Sequence, residues 1–195
     1  GELQLPHVRY DAGGQHGVTV TEFFLALNPN GTIPVIRDAG GPPIWETGVV
    51  LRYLATRYGS DPFWPNDPDR RTEVDMWAEW AKINVAMCFT VPVFWRVVRT
   101  PETERDKKAI TFALRALHER LAIAEARLEK AEWLAGPSLT LADIQLGHVL
   151  FRYFDIDIER PDWPRLNDYY DRLMMRPAFR EHVAISYDEL RATPL

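Results

Sequence analysis

The sequence predicts an α+β chain in two parts. Residues 1–59 read as a mixed amino-terminal domain, 60–69 as a linker, and 70–195 as an all-α carboxy-terminal helical bundle. Three observations carry this reading. The strand-like runs, alternating His7–Ala12 and β-branched Ile33–Arg37, lie before Gly59. The stretch from Gly59 to Asp69 holds three prolines among short polar residues, so it cannot form a regular element. Beyond it, apolar residues recur three and four apart, the spacing of a helix face.

In the amino-terminal part, Gly1–Leu5 reads as the tail of a helix stopped by Pro6. His7–Ala12 alternates and reads as a strand, and Gly13–Gly17 as a flexible loop. Thr21–Leu27 is expected as a short helix, capped by Thr19 or Thr21. Asn28-Pro29-Asn30-Gly31 is turn chemistry, since Asn, Pro and Gly favour non-regular backbone. Ile33–Arg37 is short and β-branched and reads as a strand. Asp38–Gly41 turns the chain, and Pro42 and Pro43 confine the return strand at Ile44-Trp45 to a sheet edge. Thr47 is the expected N-cap of a helix to Tyr58. Val50, Leu51, Leu54 and Tyr58 form its apolar stripe, and Gly59 is a terminating glycine.

In the helical part, Arg70–Arg99 sets Val74, Trp77, Ala81, Val85, Cys88 and Phe89 on one broad face, with a kink expected at Pro92. A second long helix opens at Pro101 or Glu102 and runs to about Glu132. Its Ile110, Leu114, Leu117, Leu121, Ala124 and Leu128 repeat at helical spacing. Leu134–Pro137 breaks it. Thr140 is then expected as N-cap with Asp143 at the third helical position, a capping-box pattern stapled by Leu139 and Ile144. Pro161–Pro164 precedes helices near Leu166–Met175 and Pro177–Val183.

Of the 195 residues, 46% are hydrophobic and 26% charged, an ordinary globular balance. A net charge of −5 supplies no basic footprint for nucleic acid. The longest apolar run, Val85–Trp95, is interrupted by Thr90 and Pro92, so no membrane span is expected. The single cysteine, Cys88, excludes an internal disulfide and suits a reducing, cytoplasmic location. The histidines and Cys88 lack metal-ligand spacing, so no metal is expected.

Asn28-Pro29-Asn30-Gly31, the Ile33-Pro34 pair, and Glu46-Thr47 opening a helix to Tyr58 resemble, in order and spacing, the glutathione-binding half of the glutathione S-transferase amino-terminal domain. The resemblance is to cytosolic, bacterial-type members with theta-like loop features, and it extends over the whole chain. Members usually carry Ser where Thr47 stands; Thr keeps the hydroxyl. The resemblance implies an incomplete thioredoxin-like amino-terminal domain. The family's first strand and most of its first helix are expected before Gly1, which would leave His7–Ala12 without a partner in its own sheet. The Ser, Tyr or Cys that activates glutathione is expected in that same segment. A cis bond at Pro34 is also implied.

Glutathione presents an ammonium and a carboxylate at one end, a thiol in the middle and a glycine carboxylate at the other. Thr47 and the helix start behind it suit the γ-glutamyl carboxylate, because free N–H groups and partial positive charge gather there; the plainer role is to cap its own helix. Glu46 suits the γ-glutamyl ammonium, although any carboxylate is favoured near a helix start. The backbone at Ile33-Pro34 suits pairing with the ligand as an added strand. His16, after Gly14-Gln15, suits the glycine carboxylate or simply faces solvent. Arg37 reads as a strand-surface charge. Asn84 and Cys88, in step with Trp80, are candidates for the wall of a second-substrate pocket, against ordinary packing. Cys88 has no cation nearby in sequence and is poorly placed as a thiolate nucleophile.

The resemblance thus implies a detoxifying glutathione transferase that conjugates the glutathione thiolate to a small hydrophobic electrophile. Glutathione is its co-substrate, its partner is a second copy of itself in a homodimer, and neither nucleic acid nor membrane is bound. Another glutathione-dependent enzyme (disulfide-bond reductase, lyase or dehalogenase) or a non-catalytic glutathione-binding or assembly module stands as the alternative.

Overall fold

Thr21 starts the first helix, α1 (Glu22–Leu27), because its Oγ1 accepts from the Phe24 N–H at 3.2 Å. The structure is a computed structural model and describes residues 1–192; the last three residues of the expected helical part lie outside the described residues. The chain divides into two compact units. One is Leu3–Ser60, and the other begins at Asp61 and takes in Gly1 and Glu2.

In the first unit, β1 (Val35–Arg37) and β2 (Pro43–Trp45) form a two-stranded antiparallel sheet. Val35 pairs with Trp45, Ile36 with Ile44 and Arg37 with Pro43. α2 (Thr47–Tyr58) follows at once. Asp38, in the hairpin turn, accepts hydrogen bonds from the Tyr53 and Tyr58 hydroxyls, each 2.7 Å long, and lies 3.1 Å from Arg57 Nε. Those bonds, Tyr53's foremost, hold its carboxyl below the usual carboxylate range.

Several local expectations are corrected here. Gly1–Leu5 is not helical; Glu2 instead takes Arg176 in a bidentate pair at 2.7 and 2.6 Å. His7–Ala12 forms no strand, since a strand exists only through a neighbour's ladder. Its Val8 and Tyr10 side chains are exposed. Thr47 is the first residue of α2 rather than its cap, which is Glu46. Tyr58 leaves the apolar stripe to reach Asp38, and Gly48, Val50 and Ala55 are the buried positions of α2. Gly59 is extended at φ −81° rather than left-handed. Glycine is needed there for space, because a Cβ would stand 2.5 Å from the Ala55 carbonyl oxygen.

In the helical unit, Asp61 pairs with Arg70 at 2.9 and 3.0 Å, and the Phe63 carbonyl accepts from Leu141 N–H at 3.2 Å. The irregular stretch before Pro68 is therefore tied to helices. The helix α3 (Pro68–Val98) starts on Asp67, whose carboxylate accepts from Arg70 N–H. It contains two π-helical stretches, Ala81–Ala86 and Thr90–Trp95, and continues through Pro92 inside the second. By length and composition alone α3 is long and apolar enough to cross a membrane, which the interrupted run Val85–Trp95 does not suggest. Its Ala81, Val85, Phe89 and Val93, at most 1% exposed, line the core of this unit.

α4 (Lys107–Leu128) begins later than expected, where Asp106 accepts from Ala109 N–H at 2.9 Å. All six of its expected apolar positions are buried. α5 (Leu141–Asp155) opens with the expected capping box at Thr140 and Asp143. Asp143 is fully buried and accepts four hydrogen bonds. They come from Thr140 N–H at 2.7 Å, Thr140 Oγ1 at 3.0 Å, Leu134 N–H at 3.0 Å and Tyr169 hydroxyl at 2.9 Å. Burial pushes its carboxyl up while those donors pull it down. α6 (Pro164–Met174) is capped from a distance: Glu125 of α4 accepts from the Arg165 and Leu166 N–H groups at 2.9 and 2.8 Å. Arg160 closes the other end of α5 by donating to the carbonyls of Tyr153, Phe154 and Ile156. A short helix, α7 (Pro177–His182), follows.

Candidate functional site

The loop after α1 is built on Asn28, which is 1% exposed. Its Nδ2 donates to the Thr32 carbonyl at 2.7 Å and to Thr32 Oγ1 at 3.2 Å. Its Oδ1 accepts from the Asn30 N–H at 3.0 Å and Asn30 Nδ2 at 3.1 Å. Gly31 turns at φ +63° and packs against Thr19, whose carbonyl oxygen would lie 3.1 Å from a Cβ at that position. A buried carboxamide thus spends all its hydrogen-bonding capacity on fixing one short loop.

That loop delivers Ile33 and Pro34 to the open end of the sheet. The Ile33–Pro34 bond is cis, as the resemblance implied; Asp61–Pro62, in the other unit, is also cis. Since Val35 pairs with Trp45, one step outward along the antiparallel register sets Pro34 across from Glu46. Ile33 and Pro34 are exposed and stand outside the ladder.

Glu46 makes the strand-to-helix turn within one residue. Its backbone sits at φ +68° and ψ 116°, which L side chains rarely adopt and which costs on the order of 1–3 kcal/mol. The turn lets the Glu46 carbonyl accept the first helical bond, from Val50 N–H at 2.9 Å. The Glu46 side chain makes no capping bond to α2, so it does not occupy the N–H groups of the first turn. Thr47, half-buried, is the first helical residue.

His16 is exposed in a single tight turn, Gly14–His16, rather than a flexible loop. Bonds from Gly13 N–H to the Gly17 carbonyl and from His16 N–H to the Gly13 carbonyl close it. Gly13 anchors this turn beside the site, since a Cβ there would lie 3.7 Å from Ile33 Cδ1. Four of the five expected binding residues, Ile33, Pro34, Glu46 and Thr47, therefore gather at one end of the hairpin, and His16 is carried on a turn that starts next to Ile33. Asn84 and Cys88 belong to the helical unit, both half-buried on α3. Asn84 lies in the first π stretch and Cys88 just after it.

Chemically, this end of the hairpin offers uncapped N–H groups with the positive end of a helix dipole, a neighbouring carboxylate, and strand backbone outside the ladder. It suits a small molecule carrying an anion, a cation and a peptide-like group. Two features of the site were not singled out by the sequence reading. Asn28 reads only as a turn residue, and nothing in the string shows its burial. The backbone of Glu46 has no sequence signal, because a glutamate does not advertise a positive φ.

A family model described as Glutathione S-transferase, N-terminal domain, matches residues 2–57, and one described as Glutathione S-transferase, C-terminal domain, matches residues 85–177. Glutathione S-transferase GstB of Escherichia coli (strain K12) is 34% identical over 185 residues, covering 94% of this chain and 88% of that protein. Glutathione S-transferase F14 of Arabidopsis thaliana is 29% identical over 180 residues, covering 87% and 70%. Among solved structures, the theta class glutathione S-transferase from the citrus canker pathogen Xanthomonas axonopodis pv. citri, with glutathione bound, superposes with a TM-score of 0.89 at 37% identity, covering 95% of this chain and 88% of that one.

Proposed function

The chain belongs to the glutathione S-transferase family and is a glutathione transferase, and from that premise we propose that it conjugates the glutathione thiolate to a small hydrophobic electrophile. The observation that carries the site assignment is the meeting of Pro34 and Glu46 at the end of the hairpin, directly before the uncapped start of α2.

The γ-glutamyl carboxylate lies against Thr47 and the first N–H groups of α2, where the helix dipole favours an anion. Glu46 accepts from the γ-glutamyl ammonium, a charge-assisted bond. The Ile33 backbone pairs with the peptide of the ligand in the manner of an added strand. His16 meets the glycine carboxylate. Together these contacts fix the position of the thiol, which is where proximity to the second substrate is gained. Asn84 and Cys88 are proposed for the wall of the pocket that holds the apolar electrophile.

The protein is taken to be cytoplasmic and homodimeric, with no metal, nucleic acid or membrane partner. Met76, Ile83, Met87 and Val91 of α3 are each at least 50% exposed, and an apolar face of this kind suits an isologous contact.

The test is retention on immobilised glutathione, then the ultraviolet absorbance of the bound thiolate and turnover of an apolar electrophile. Retention, thiolate formation and turnover are expected. Binding without thiolate formation would turn the reading to a carrier, and no binding to an assembly module.

A further inference from the structure

We infer that Asn28 is a positioning residue of the glutathione site. The inference rests on the function proposed above and names a residue that it leaves without a role. Asn28 is not itself at the exposed end of the hairpin: it is 1% exposed, at the carboxyl end of α1. Its influence runs through two arms. The Oδ1 arm holds the Asn30 N–H and side chain. The Nδ2 arm holds the Thr32 carbonyl and hydroxyl. The Thr32 carbonyl carbon is bonded to the nitrogen of Ile33, so that arm fixes the peptide group from which the proposed ligand-pairing edge starts.

Three features distinguish this arrangement from ordinary loop packing. The Asn28 side chain is buried with every partner inside five residues of chain, so it shapes one loop rather than joining two elements. The loop it shapes ends at Ile33 and Pro34, which are exposed, so the order it imposes is delivered to surface backbone. Thr32 is exposed as well, and among the hydrogen bonds described its carbonyl is held by Asn28 Nδ2. An edge that pairs with a ligand must be held to a fraction of an ångström, and a buried, fully bonded carboxamide supplies that constraint from behind.

The two arms make different predictions. Asn28→Ala removes both. Asn28→Asp keeps the acceptor arm toward Asn30 and loses the donor arm toward Thr32. Both are expected to weaken glutathione by roughly tenfold, because the Thr32 arm leads to Ile33.

The experiment is calorimetric titration of the full chain with glutathione, well below each melting midpoint, for the wild type, Asn28→Ala, Asn28→Asp and Glu125→Ala. Glu125→Ala removes the remote cap of α6 in the other unit and serves as a destabilised comparison. The expected result is loss of affinity in both Asn28 variants and unchanged affinity in Glu125→Ala. If Asn28→Ala does not fold, Asn28→Asp carries the test alone. Wild-type affinity in a folded Asn28→Asp overturns the inference, as does a loss in Glu125→Ala matching its fall in melting temperature. A wild type that gives no binding heat overturns the proposed function itself, which separates that failure from this one.

Discussion

Val35 and Trp45 are the last paired residues of the two-stranded sheet, and their pairing brings Pro34 beside Glu46. Two segments separated by a hairpin turn thereby share one end of the sheet. The glutathione assignment rests on that register, because a slip of one residue would turn the outward pair away from the start of α2.

The first prediction concerns Glu46. Its positive φ is a cost that glycine would relieve, while its carboxylate is assigned to the ligand. Glu46→Gly is therefore expected to leave the melting temperature unchanged or raise it, while weakening glutathione at least tenfold, in keeping with the roughly 1.5–3 kcal/mol of a hydrogen bond to a charged group. Melting curves and calorimetric titration check the two directions separately. A variant that loses both stability and affinity would assign Glu46 to the fold alone.

Asp143 is predicted to be the costliest single polar side chain to remove from the helical unit. Asp143→Ala leaves two backbone N–H groups and the Thr140 and Tyr169 hydroxyls without their acceptor in a buried place. A loss of about 3 kcal/mol or more is expected. Asn in its place brings an NH₂ group against donors and should recover little of this. Tyr169→Phe removes one of the four donors and should cost about 1 kcal/mol. Denaturant unfolding of the three variants gives the ranking.

The hairpin clamp is predicted to be acid-sensitive. Hydrogen bonds from Tyr53 and Tyr58, with Arg57 nearby, hold the Asp38 carboxyl below its value in an unfolded chain. The stability it contributes is present above about pH 4 and is lost as pH falls through the lowered folded value. Asp38→Asn should flatten the dependence of unfolding on pH below about 5, whereas the wild type should lose stability there. Melting curves across that range read the difference.

Two histidines should act in a higher pH window. Burial lowers His148, with Arg152 adding to the effect, and burial lowers His118, with Arg160 adding to it. His118 also packs its ring near Tyr153 and Trp163, with Nε2 buried and without a hydrogen bond among the described residues. A folded pKa below the unfolded one means stability that is present above about pH 6.5 and is lost as pH falls below it. The wild-type melting temperature should drop between about pH 7 and 5, and the double variant His118→Gln, His148→Gln should drop less. Equal slopes would remove the histidines from the account.

Much of this was legible in the sequence because it depends on local rules. The apolar repeat of α4 marked Ile110 to Leu128 as core, and the spacing of Thr140 and Asp143 marked a capping box. The motifs around Ile33-Pro34 and Glu46-Thr47 marked the residues proposed for the site. What was not legible depends on partners distant in the chain. Glu125 capping α6 across forty residues and Tyr169 donating to Asp143 have no signature in spacing. Tyr58 looked apolar by periodicity until its hydroxyl found Asp38. The string His7–Ala12 had the alternation of a strand but no ladder beside it. Thr47 looked like a cap because threonine often is one, but the turn is made one residue earlier by Glu46 at a backbone angle that no residue preference reports.

The central claim is that the end of the hairpin and the start of α2 hold glutathione together. Amide chemical-shift mapping of the full chain during titration with glutathione tests it most directly. The account predicts saturable shifts concentrated at Ile33, Glu46, Thr47 and Gly48, with a smaller set around His16. Saturable shifts elsewhere, with these amides unmoved, would contradict it.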